Sequence, residues 1–213
     1  GLVGLIERRP EALIIELYYN ARILYFNERY ADFLGLMLRF LEVVLSREIA
    51  RIYGLPEADS LEDERQAFRT VIENNRHLQI FLAQTGVDKT LNHRRNIFFL
   101  LAMLRYLIDD RGNKDENGRP LLSSKDLERY RRVYEIAARM SKLVKLYNNS
   151  IAAGGFDGVS RPLIMSIYTS DGVAAGRNPS DDMSVLMELL DMNLYDDPYS
   201  LIATRIVTAL EEI

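Results

Sequence analysis

Chemistry near neutral pH needs either a group that titrates there or a cation placed to grip an anion. This chain is sparing with the first. It has two histidines, His77 and His93, and no cysteine. Imidazole is the side chain that titrates closest to neutrality. Yet His77 sits beside Arg76 and His93 beside Arg94 and Arg95, which reads as surface or helix-capping positions rather than a general base. The acidic runs Glu62–Glu64, Asp109-Asp110 and Asp181-Asp182 fall at expected helix ends or in loops. A solvated role matching the helix dipole explains them better there than paired acid–base work. Without cysteine, disulfides, thiolate metal ligands and thiol nucleophiles are excluded, and two histidines cannot build a histidine-rich centre. No metal or cofactor is expected.

Cationic groups are more concentrated. The net charge of the chain is −4, yet Ser123–Lys145 carries Lys125, Arg129, Arg131, Arg132, Arg139, Lys142 and Lys145 against Asp126, Glu128 and Glu135. Two readings stand. The charges balance an acidic bulk as a solvated face, or they form a wall that holds a single RNA strand by its phosphates without reading its sequence. Directly after this segment comes LYNNSIAAGGFDGVSRP, Leu146–Pro162, with Gly154, Gly155 and Gly158 among the twelve glycines of the chain. Asn-Asn and Gly-Gly between two helical blocks shape the backbone, as a helix cap or as a site.

The usual phosphate cradles are missing. No G-x-x-x-x-G-K-[ST] occurs and no G-x-G-x-x-G follows a strand, nor is there H-E-x-x-H or G-x-S-x-G. The acidic balance argues against a surface coated by nucleic acid but permits a local basic patch. The longest apolar run, Ile97–Leu104, is far short of the about 18 residues a membrane span requires. A cytoplasmic protein is the expectation. The chain opens GLVGLIERRP, which suggests a fragment of a longer protein.

The elements that must position these residues read as helices throughout, giving an all-α fold in one domain over 1–213. Pro10 suits the first turn of a helix with apolar Leu13, Leu17, Ile23, Leu24 and Phe26. A break at Asn27–Arg29 leads to a second helix, Tyr30 to about Tyr53. Its apolar stripe is Phe33, Leu34, Met37, Leu38, Leu41, Val44, Leu45 and Ile49, and Gly54-Leu55-Pro56 stops it. These two form an opening pair over 1–56. Core helices follow over 60–110: one from the Ser60 cap to about Gln84, and one capped by Thr90 or Asn92 and apolar nearly all round. Arg111–Pro120 reads as an exposed loop. Ser123 or Ser124 caps the basic helix, 123–147, whose expected apolar face is Leu127, Tyr130, Tyr134, Ala137, Ala138, Leu143 and Leu146. A small Gly-rich lobe spans 148–180. C-terminal helices, 181–213, start at a Ser180 cap and at Asp197-Pro198. No repeat and no alternating strand pattern is present.

Leu146, Asn148, Ser150, Ile151, Ala153, Gly155, Phe156, Val159 and Ser160 match a segment of the form L-R-N-x-S-I-x-A-H-G-F-x-x-V-S. That segment is common in the CARF–HEPN ribonucleases of type III CRISPR systems. The opening pair resembles the start of their HEPN half, with Asn20-Ala21, Arg29-Tyr30 and Arg39-Phe40-Leu41-Glu42. The resemblance implies a HEPN-like bundle of six or more helices that acts as a homodimer in antiviral defence. It also implies a preceding sensor domain that responds to cyclic oligoadenylate, and an RNA cleft where two copies of the basic helix face each other. On this chain the RNA contacts would be Arg139, Lys142, Lys145, Asn148, Asn149 and Ser150.

The same resemblance places the metal-independent endoribonuclease pair, an Arg and a His a few residues apart, at Tyr147 and Gly154, and neither residue type is there. Glycine offers no proton shuttle. Tyrosine, with an ordinary pKa of about 10, is a poor base and carries no positive charge at neutral pH. Losing a general acid–base group lowers rates by about 10²–10⁴-fold. Three readings therefore stay open: a nuclease fold kept for dimerisation or RNA holding, a pair removed by substitution, and a plain glycine cap unrelated to the family. A helical protein-interaction module without a nucleic-acid role, its faces rich in the twelve tyrosines, is the competing function.

Overall fold

The computed structural model describes residues 10–56, 60–86, 97–109, 112–114, 118–155, 157–170, 172 and 177–192. Most of these residues are helical, with no strand among them beyond one isolated bridge pair, Ser150 and Asp157. The helices are α1 (Pro10–Phe26), α2 (Tyr30–Ile52), α3 (Leu61–Asn74), α4 (Arg76–Thr85), α5 (Ile97–Ile108), α6 (Ser124–Ser141), α7 (Val144–Asn149), α8 (Arg161–Tyr168) and α9 (Pro179–Leu189). The chain divides into two compact units, Leu41–Ser141 and the remainder, Gly1–Phe40 with Lys142–Ile213. Residues 30–40 of α2 belong to the second of these and 41–52 to the first.

In the discontinuous unit, α1 packs on α9, and the Tyr18 hydroxyl lies 2.8 Å from that of Ser184. The buried side of α1 is Ile14, Leu17, Tyr18, Ala21 and Tyr25, so of the expected stripe only Leu17 is buried and Leu13, Ile23 and Phe26 are exposed. Leu and Ile occur all round this helix, and tyrosines able to reach a polar partner took the inward positions. The Tyr25 ring meets Phe33 edge-on at 4.9 Å between centroids. The turn between α1 and α2 puts Glu28 in left-handed backbone, φ 59.

In the continuous unit, α3, α4, α5 and α6 pack in sequence order. All eight apolar residues expected to be inward on α2 are buried, in whichever unit they fall. Gly54 ends the helix at φ 64, and the Leu55 amide donates to the Ala50 carbonyl at 2.9 Å. The single helix expected from Ser60 to about Gln84 is two. Asn75 takes extended backbone, ends α3, and opens α4 by accepting from the Leu78 amide at 2.9 Å. α5 is buried on nearly every side, with Phe98 and Arg105 outward. Its expected cap at Thr90 or Asn92 lies outside the described residues, as do His93 and the expected last helix. The loop expected to be wholly exposed is pinned at its base. Asn113 is buried, accepts from the Leu122 amide at 2.7 Å and donates to the Leu122 carbonyl at 3.1 Å.

Two further boundaries differ from the sequence reading. The basic helix stops at Ser141 and restarts as α7 after a turn at Lys142-Leu143. α9 is capped by Asn178, whose Oδ1 accepts from the Asp181 amide at 3.1 Å, with Pro179 next. Ser180 therefore lies inside the helix rather than at its cap. Pro179 has no amide to leave unsatisfied, which suits that first position.

Candidate nucleic-acid interface

α7 is short and ends in a loop that folds back on it. Leu146 is buried, and Tyr147, half-buried, lays its ring along α2, where a Cβ on Gly35 would come within 3.1 Å of Cε2. With Leu146 and Tyr147 turned inward, Lys145, Asn148 and Asn149 are exposed. Their spacing, i, i+3 and i+4, puts one ammonium and two amides on one helical face.

The loop closes through the main chain. Both the amide and the hydroxyl of Ser150 donate to the Tyr147 carbonyl, at 2.9 and 2.7 Å. After the single turn Ile151–Ala153, Gly154 takes left-handed backbone, φ 88, and the Gly155 amide returns to the Ser150 carbonyl at 2.8 Å. Asp157 then clasps the end of α7. Its amide donates to the Asn149 carbonyl at 3.0 Å and its carbonyl accepts from the Ile151 amide at 3.3 Å. A Cβ on Gly155 would lie 2.1 Å from the Asn149 carbonyl oxygen, so only glycine fits there. The chain leaves through Ser160, which caps α8 by accepting from the Leu163 amide at 3.4 Å, and the Arg161 guanidinium lies 5.7 Å from the centroid of Tyr25.

Not every residue expected to touch RNA is available on this face. Ser150 is 0% exposed and its hydroxyl is committed to the Tyr147 carbonyl. Arg139 is buried at 8% exposure on the inward side of α6 and belongs to the other unit. The periodicity of 123–147 misplaced it because the inward face of α6 is Tyr130, Val133, Ile136, Ala137, Arg139, Met140 and Ser141, turned from the expected one. Lys142 is half-buried in the turn before α7. The positions matched to the missing pair serve the fold: Tyr147 packs on α2 and Gly154 makes a turn. Phe156 lies outside the described residues.

The acidic runs also divide. In the first turn of α3, Asp63 accepts from the Ser60 hydroxyl at 2.6 Å and Glu62 pairs with Arg65 at 3.2 Å, while Glu64 accepts from the Ser46 hydroxyl. Asp182 departs from a solvated role. It is fully buried in α9 and accepts from the Tyr168 hydroxyl, with the Arg177 guanidinium 3.8 Å away. His77 is exposed on α4.

A second polar cluster went unread in the sequence. Glu48, buried on α2, accepts from Arg47 at 2.8 Å, from Arg51 at 2.9 and 3.1 Å, and from the Tyr130 hydroxyl of α6 at 2.6 Å. Arg51 also donates to the Tyr130 oxygen. Burial and then the neighbouring Glu48 carboxylate push the Tyr130 phenol up to about 12. The available signal was positional: Glu48 lies on the buried stripe between Leu45 and Ile49, flanked by arginines at −1 and +3. Its groups are bonded to one another, and a helix-to-helix tie is what the arrangement does.

Among the described residues no group of three metal-ligating side chains converges, and no helix is long and apolar enough to cross a membrane. Comparison with protein-family models, with curated proteins and with solved structures finds no match.

Proposed function

We propose that this domain holds single-stranded RNA without cutting it, as the helical effector half of a CRISPR-associated defence protein. The observation that carries the reading is the joint exposure of Lys145, Asn148 and Asn149 on one face of α7, beside a closed loop without an imidazole. Lysine binds phosphate as a point charge, and the amides reach sugar or base edges. Lys142, from the preceding turn, adds a second cation at the same end. The cytoplasmic setting, the oligoadenylate-sensing partner domain and the pairing of two such faces in a homodimer rest on the family resemblance alone.

Anisotropy titration of a short single-stranded RNA at two salt concentrations tests the binding. Micromolar-range affinity is expected, falling with salt by a log–log slope of about −0.7 per phosphate neutralised. The double variant Lys142→Ala with Lys145→Ala should lose it. Labelled RNA incubated with the protein in EDTA should stay intact, and cleavage there would refute the claim that positions 147 and 154 leave the site inert.

A second reading, a protein-interaction module, is favoured by one observation. Phe26 and Ile151 are 68% and 67% exposed, and large apolar side chains of this kind serve as anchors when a partner buries them. RNA binding that is absent, or indifferent to salt, would select it.

A further inference from the structure

We draw no further inference here: the strongest candidate, the exposed apolar patch of Ile23 and Phe26 on the outer face of α1, carries none, because nothing in the structure shows what covers it.

Discussion

Tyr147 and Gly35 are fitted to each other: the ring of one occupies the space where a side chain on the other would begin, 3.1 Å from Cε2. Alanine at 35 would gain about 1 kcal/mol of helix propensity and force the ring to yield, so the two effects nearly cancel. Valine at 35 should lower stability by about 1–3 kcal/mol, and the loss should shrink in a Tyr147→Ala background. Urea melts of the four proteins in that cycle measure the coupling.

Gly155→Ala should be the most damaging single-methyl change in the loop. Its Cβ would sit 2.1 Å from a backbone oxygen that cannot swing aside, and the clasp of Asp157 on Asn149 would open. Hydrogen exchange should show faster exchange of the Asp157 and Gly155 amides, with the protection of α5 and α6 unchanged.

Replacing Glu48 should cost more than replacing a surface acid. Glu48→Ala leaves the buried Tyr130 hydroxyl without its charged acceptor, while Arg47 and Arg51 keep access to water, a change of about 1.5–3 kcal/mol. Glu62→Ala, which breaks an exposed pair at 3.2 Å, should stay within about 1 kcal/mol. Thermal melts of the two variants side by side check the ranking.

Tyr130 should make alkaline stability steep. Its folded-state pKa is raised above the ordinary value of 10, to about 12, so the contribution is complete below pH 10 and is lost as pH rises through 12. The slope for this one group cannot exceed about 1.4 kcal/mol per pH unit. Tyr130→Phe removes a hydrogen bond to a charged acceptor and should cost about 1.5–3 kcal/mol near neutrality. Denaturant melts at pH 9 and pH 11 should show a smaller drop for the variant; equal drops would reject the assignment.

The all-helical class and the buried face of α2 were legible because one strong stripe, Phe33 through Ile49, admits a single helical phase. α1 was not, since Leu13, Ile23 and Phe26 compete with Ile14, Leu17 and Tyr25 and periodicity cannot rank two apolar faces. The break at Asn75 was hidden because asparagine is tolerated in a helix, and its capping geometry appears only when Leu78 is placed. On the candidate interface, exposure of Lys145, Asn148 and Asn149 followed once Leu146 was set inward. The burial of Arg139 did not, because Val133, Ile136 and Met140 define a face that the counted tyrosines and alanines obscured.

The left-handed turn at Gly154 has nothing within 4 Å of where a Cβ would stand, so what opposes a larger residue there is backbone conformation, about 1–2 kcal/mol, and not crowding. Histidine is among the residues that tolerate such backbone. Position 147 is the reverse case, because removing its ring would open a void against α2. Position 154 would thus accept a histidine at smaller cost than position 147 would accept the loss of its ring.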